Sequence, residues 1–362
     1  MVTPAPGEPG TWADRAAAAE RAVTGRFVRR LGGVVPGTAI GRVSWPRRWP
    51  IRPWPWHYWW QAHLLDCLAD ARGRAPSSSR DADIATFLRT VRLRNAGSWV
   101  NDYYDDIAWL GLAVDRAGDP AGPAARPALD AILARLRSGH TAAGGGGVYW
   151  RRRDDFKAAP ANGPAAILFA RRGDLTTAAA LADWMHVRLP DPDTGLIRDG
   201  VRVGRDGRVR TVEPAIYTYN QGVYLGACVE LAERDGDPRW AGRAAAVLAA
   251  TAQHLAEPDG VVGGYDDGGD GGLFNGILAR YLADAAVRLP ELAGVAGRLV
   301  RASAESVWEN RAEMRGGPVF AHDWRAPARV AAAGNPESAL SVQLSGWMLL
   351  EAAARLERAP GT

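Results

Sequence analysis

The 362 residues carry 44 basic and 40 acidic side chains, a formal charge of +4, and 47% of them are hydrophobic, the balance of a folded globular chain rather than a disordered one. The basic side is almost wholly arginine, with Lys157 the sole lysine, and no long run of Lys/Arg interleaved with aromatics builds a nucleic-acid groove; Arg47-Arg48 and Arg151-Arg152-Arg153 read as solvated surface. Cys67 and Cys228 lie in apolar helical patterns and supply neither a disulfide framework nor a zinc site.

The first ten residues form a Pro/Gly-rich leader, expected to be flexible, without the basic start and apolar run of a secretory signal. No uninterrupted apolar segment is long enough to span a bilayer. As given, the chain is expected to be soluble, monomeric and cytoplasmic, or extracellular if a leader is missing, with residues 11–358 as a single domain. Helical periodicity predicts the first helix over 11–31, ended by Gly32-Gly33. A loop rich in Pro and Trp follows at 43–56, where repeated prolines forbid a regular helix. Helices are then predicted at 57–71, 80–94, from Asp105 onward, and at 127–138. Gly144-Gly-Gly-Gly147 is a glycine turn presenting Tyr149 and Trp150, and a proline opens the sixth helix at 161–170. The seventh spans 175–188, and residues 190–212 alternate apolar with polar around Asp-Gly turns, the pattern of a small surface β-hairpin. Five further helices are expected at 217–231, 238–256, 273–286, 292–310 and 338–354.

The even-numbered helices share a polar or aromatic start and an apolar, small-residue body. Gln61, Asp105, Asn162, Asn220, Asn275 and Gln343 mark the starts, at separations of 44, 57, 58, 55 and 68 residues, a degenerate repeat of helical hairpins. Six hairpins whose second helices are the more apolar close into an all-α (α/α)6 barrel, with the charged helices outside. If the inner helices run parallel, their polar starts converge on one rim, lined by Trp, Tyr, Asn, Gln and Asp. Carbohydrate suits such a cleft, since sugar rings stack on aromatic faces and hydroxyls need donors and acceptors.

Asp105 and Asp106 open the fourth helix among Trp99, Tyr103, Tyr104 and Trp109. Acids in a first turn also favour the positive end of the helix dipole, and Asn101 or Asp102 could cap it; that explains one acid better than an adjacent pair beside several rings. Glycoside cleavage takes two carboxyl groups, and neighbours on a helix place theirs roughly 5–6 Å apart, the spacing of a retaining enzyme. Mutual repulsion would leave one an acid beside a carboxylate.

The segments Tyr58-Trp-Trp-Gln-Ala-His-Leu-Leu-Asp66, Tyr104-Asp-Asp-Ile-Ala-Trp109, Gly146-Gly-Val-Tyr-Trp150, Lys157-Ala-Ala-Pro-Ala-Asn-Gly163, Tyr217-Thr-Tyr-Asn-Gln-Gly222 and Gly271-Gly-Leu-Phe-Asn-Gly-Ile-Leu278 together resemble glycoside hydrolase family 76, the endo-α-1,6-mannanase family. The resemblance implies an (α/α)6 barrel and a retaining double displacement, with Asp105 the nucleophile and Asp106 the acid/base. Substrate contacts are expected from Trp60, Gln61, Tyr104, Tyr149, Trp150, Asn162, Tyr219, Asn220, Gln221, Tyr265, Asp267 and Asn275. His63 is expected to be a buried, hydrogen-bonded structural residue. Asp266, Asp267 and Asp270 lack the Glu-terminated spacing of a calcium loop, and no metal or cofactor is expected. Transglycosylation, or glycan binding without turnover, are the alternatives. An isoprenoid cyclase would need an Asp-X-Asp-Asp or Asp-Asp-X-X-Asp run, which Asp102-Tyr-Tyr-Asp-Asp106 does not supply.

Overall fold

The computed structural model describes residues 10–46, 56–263 and 269–359. Among these, the helices are α1 (Trp12–Phe27), α2 (Tyr58–Arg74), α3 (Ser78–Arg94), α4 (Tyr104–Ala117), α5 (Ala125–Gly139), α6 (Ala159–Arg171), α7 (Leu175–Arg188), α8 (Thr218–Arg234), α9 (Arg239–His254), α10 (Phe274–Arg288), α11 (Ala293–Glu309) and α12 (Leu340–Arg358). Short strands join them: β1 (Val28–Arg29), β2 (Ile40–Gly41), β3 (Phe156–Ala158), β4 (Arg198–Val203), β5 (Val209–Ile216), β6 (Ala312–Met314) and β7 (Gly317–Val319). The α1 helix stops at Phe27, earlier than its periodicity suggests, because Val28 turns extended and pairs with Gly41 across β1 and β2.

The inner helices α2, α4, α6, α8, α10 and α12 each pack on the next, and α12 returns to α2, closing an (α/α)6 barrel. The odd-numbered helices lie outside. Outer helices bury one stripe, as in α9, where Trp240, Ala244, Val247, Leu248 and Thr251 face inward at three- and four-residue spacing. Inner helices are buried nearly all round, as in α6, where every residue from Ala159 to Ala170 is buried. Small residues let neighbouring inner helices approach closely: a Cβ on Gly222 would stand 2.9 Å from the Leu278 Cα, and one on Gly276 2.6 Å from the Ser345 Cα. Among the described residues no helix is long and apolar enough to cross a membrane.

The amide side chains that mark the helix starts do something other than face a ligand. Gln61 accepts from the Gly41 N–H at 2.8 Å and donates to the Gly41 and Trp56 carbonyls. Asn162 clasps the N–H and C=O of Val148 and donates also to Ala158, Gln221 does the same to Ile197 and Tyr217, and Gln343 to Phe320 and Glu337. In each case a buried carboxamide on the first turn of an inner helix pins one residue of an incoming loop as a strand partner would. A buried backbone group left unpaired costs about 1–3 kcal/mol, and these clasps remove that cost where six loops must descend into the barrel mouth.

The charged residues are not confined to the outer helices. The C-terminal halves of all six inner helices meet in a network of ion pairs: Arg116 and Arg280 each bridge Asp66 and Asp70, Glu230 holds Arg171, Arg234 and Arg288, Asp284 holds Arg355, and Arg74 pairs with Glu351. That meeting shows the inner helices to be parallel, and it lies at the barrel end opposite the aromatic rim. The Arg116 and Arg280 guanidiniums hold Asp70 down at about 2 against the opposing effect of burial. Removing one partner of such a buried pair leaves the other charge uncompensated. We therefore expect Asp70→Asn to cost about 3 kcal/mol, read as a lower midpoint in urea denaturation.

Candidate active site

The rim at the N-terminal ends of the inner helices is built around the first turn of α4. Ile107, Leu110 and Val114 bury one face of this helix and fix its rotation, which leaves Asp105 and Asp106 half-buried at the mouth. Neither acid serves as the cap: the N-cap residue is Tyr103, without a side-chain cap bond, and Asn101 instead accepts from the Tyr103 N–H and donates to Asp106 Oδ2 at 2.6 Å. Asp105 takes two donors, the indole N–H of Trp150 on Oδ2 and the Asp106 backbone N–H on Oδ1, both at 2.8 Å.

Burial, and then the charge of Asp106, push Asp105 well above the ordinary carboxylate range, opposed by its two N–H donors. Burial lifts Asp106 to about 7, the Asn101 amide opposing and the charge of Asp270 adding. Two desolvated carboxyl groups side by side thus keep a proton between them near neutral pH.

Aromatic rings frame the pair. Tyr103 meets Trp150 edge-to-face at 5.1 Å on one side. On the other, Tyr219 stacks on Phe274 at 4.1 Å, with Tyr217 tilted against the same ring. The indole N–H groups of Trp59 and Trp60 both donate to Asp270 Oδ1, at 2.9 and 2.8 Å. From β4, Asp199 reaches the same rim and accepts from Asn220 at 3.2 Å; burial lifts it to about 6, with the Asn220 bond opposing. Burial and the charges of Asp199, Asp105 and Asp270 push the Tyr219 phenol well up. The Asn220 Oδ1 is itself buried and has no hydrogen-bond partner, so the accessible polar group of this wall is the half-buried Asp199 carboxylate.

The structure therefore brings Asp105, Asp106, Trp150, Tyr219 and Asn220 to one rim and removes others from it. Gln61, Asn162 and Gln221 are engaged by backbone, and Asn275 accepts from Thr218 and donates to the Gly263 carbonyl; each is thereby corrected from ligand contact to loop pin. The Tyr104 ring turns outward against Gly139, where a Cβ would stand 2.6 Å from it, and Tyr103 faces the pair in its place. Of the two tryptophans, Trp60, expected to be a substrate contact, is the buried one and Trp59 the more exposed. Tyr149 covers the Lys157 ammonium at 4.5 Å. Tyr265, Asp267 and Asp266 lie outside the described residues, as do Arg47 and Arg48. His63 is buried as expected but without hydrogen bonds, pressed against the rings of Trp59 and Trp109; burial, then Arg280 and Arg116, push it well down, so it is neutral.

The sequence from 15 to 355 matches the model of glycosyl hydrolase family 76. The chain belongs to this family. Among solved structures, the GH76A alpha-1,6-mannanase from Salegentibacter sp. HEL1_6 is 27% identical with a TM-score of 0.82, over 95% of this chain and 99% of that one. An inactive variant of the same protein, two consecutive aspartates replaced by asparagine, is in complex with alpha-1,6-mannotriose, again at TM-score 0.82, 27% identity and 95% and 99% coverage. The Lin0763 protein from Listeria innocua is similar at 26% identity and TM-score 0.82, over 96% of this chain and 98% of that one. No curated protein matches.

The family 76 rim holds Asp199, Asn101 and Asp270 in positions that the sequence does not reveal. Asp199 stands in an Asp-Gly dipeptide, which reads as turn chemistry. Its placement follows from a third strand, since β3 pairs with β4 so that Ala158 faces Gly200, and the expected surface hairpin becomes a sheet anchored in the barrel mouth. Asn101 and Asp270 lacked any periodic signal. A stability test follows from the acid pair: because Asp106 is raised from 3.8 to about 7 on folding, its contribution is fully favourable below pH ~4 and is lost as pH rises through about 7. Asp106→Asn is expected to raise Tm by about 2 °C or more at pH 8 and by less at pH 4, measured by calorimetry.

Proposed function

We propose that this protein hydrolyses α-1,6-linked mannan by a retaining double displacement, with Asp105 as nucleophile and Asp106 as acid/base. The observation that carries the reading is the unequal hydrogen bonding of the two adjacent acids. Both oxygens of Asp105 accept an N–H, which aims it and opposes the burial that raises it, whereas Asp106 accepts through Oδ2 alone and leaves Oδ1 to carry a proton. Asp106 then protonates the departing glycosidic oxygen while Asp105 attacks the anomeric carbon, and Asp106 later takes the proton of the incoming water. The carboxyl proton near neutral pH, the ring walls of Tyr103 with Trp150 and Tyr219 with Phe274, and the half-buried Asp199 carboxylate, oriented by Asn220, all support a pyranose polymer as substrate. The Salegentibacter relative is an alpha-1,6-mannanase, and its Asp-to-Asn variant is in complex with alpha-1,6-mannotriose; both support an α-1,6-linked mannose polymer as the substrate.

Incubation with linear α-1,6-mannan, followed by chromatography, is expected to show oligosaccharide release by the wild type. Asp105→Asn and Asp106→Asn should each lower kcat by about 10²–10⁴-fold. Absence of product from the wild type on several α-mannans overturns the proposal, and an initial β anomer in NMR overturns the retaining course. Asp199→Asn should lower kcat/KM by about 10-fold or more, as expected when a charged hydrogen-bond acceptor is lost, chiefly through KM.

A further inference from the structure

Beneath Trp150 lies a cation that the chemistry above does not use. Lys157, the sole lysine of the chain, is completely buried in β3. Its ammonium donates to the carbonyls of Thr141, Ala143, Gly146 and Gly147 at 3.2, 2.7, 2.6 and 2.8 Å, and to the Thr141 hydroxyl at 2.9 Å. No carboxylate pairs with it among the described residues; the compensating charge is a ring of carbonyl dipoles. Four consecutive glycines make the ring possible, since Gly144 to Gly147 hold φ of +68°, +82°, +126° and +79°, values that residues with a Cβ resist. Space is closed as well: a Cβ on Gly147 would stand 2.7 Å from the Trp184 ring and one on Gly144 2.9 Å from Val203.

The cage is the neck of the loop that carries Trp150. At one end Gly147 is tied to the ammonium, and at the other the lysine's own neighbour Phe156 accepts from the Trp150 N–H at 2.8 Å. The Trp150 carbonyl accepts from the Tyr104 N–H at the head of α4, and its indole reaches Asp105. Through Val201, its partner in β4, Lys157 also sets the strand that presents Asp199. An ammonium offers three donors and a full charge to five acceptors; a neutral side chain of the same length would leave carbonyls unpaired and the ring free to open.

We propose that Lys157 is a positioning residue for the reaction proposed above, its charge gathering the 141–147 turn so that the Trp150 indole N–H is held on Asp105. Burial lowers Lys157 to about 8, so the cage loses its charge just above neutral pH. The titratable and charged groups around it are the Tyr149 phenol over the ammonium, His140 at the end of α5, which burial and Lys157 push down, and Arg188 at the end of α7, whose guanidinium a Cβ on Gly145 would meet. Of these, His140 is held below its ordinary range by burial and then by the Lys157 charge, on the acid side of neutrality.

The test is a double-mutant cycle of Lys157→Gln and Trp150→Phe, with kcat on α-1,6-mannan and the Trp150 indole Nε1–H resonance of ¹⁵N-tryptophan-labelled protein as readouts. Lys157→Gln is expected to lower kcat about 10-fold or more, as small misplacements of reacting groups do, with KM within about twofold, and to move the indole resonance upfield with faster exchange. In the Trp150→Phe background the same change should add almost nothing to the loss. Additive losses, or an unmoved indole resonance, overturn the proposal. Should Lys157→Gln fail to fold, Thr141→Val removes one acceptor of the cage and must shift the indole resonance in the same direction; no shift overturns the proposal equally. The resonance needs no turnover, so an enzyme inactive on mannan would sink the substrate reading while the cage is still decided.

Discussion

A carboxamide bracketing the N–H and C=O of one loop residue is the contact on which this barrel mouth depends. Gln61, Asn162, Gln221 and Gln343 repeat it around the ring. Each inner helix begins with free backbone N–H groups, and each loop arriving from the outer layer brings its own unpaired groups into a buried place. The clasp satisfies the loop without requiring a continuous sheet. The rim is thereby rigid enough to carry chemistry on short, irregular segments, where loops would otherwise be the least ordered part of a helical protein.

The inner helices α4 and α10 have Ile107 and Ile277 at the fourth position instead, and their polar side chains stand earlier, at Asp105 and Asn275. Freed from clasping a loop through a carboxamide, the start of α4 exposes two acids to the mouth. The cost of that arrangement is visible in the upward displacement of Asp105, Asp106 and Asp199 together. Burial of several carboxyl groups without a cationic partner opposes folding at high pH, and it is also what leaves a proton available near neutrality.

The two ends of the barrel solve opposite electrostatic problems. At the C-terminal ends of the inner helices, arginines outweigh the negative pole of six parallel helix dipoles, and Asp66, Asp70, Glu230, Asp284 and Glu351 each pair with an arginine. At the N-terminal ends, the acids face the positive pole and aromatic rings, and the buried Lys157 is engaged by backbone carbonyls instead.

Periodicity alone determined the number, order and approximate bounds of the helices, because an amphipathic stripe repeats every 3.6 residues whatever it packs against; α7 is found at the residues expected of it, Leu175–Arg188. The alternation of more and less apolar helices likewise implied the closed ring, since a helix buried all round must be surrounded. The adjacency of Asp105 and Asp106 beside several rings was legible for the same local reason. Which way a side chain turns at the rim was not. Gln61, Asn162, Gln221 and Asn275 have the chemistry of a sugar site and the geometry of a loop clasp, and Asp199 has the opposite pair. Only the tertiary structure decides between them, because a polar group at a helix start binds whichever partner the folded chain brings within about 3 Å, and that partner arrives from 14 to 24 residues or more away in the sequence.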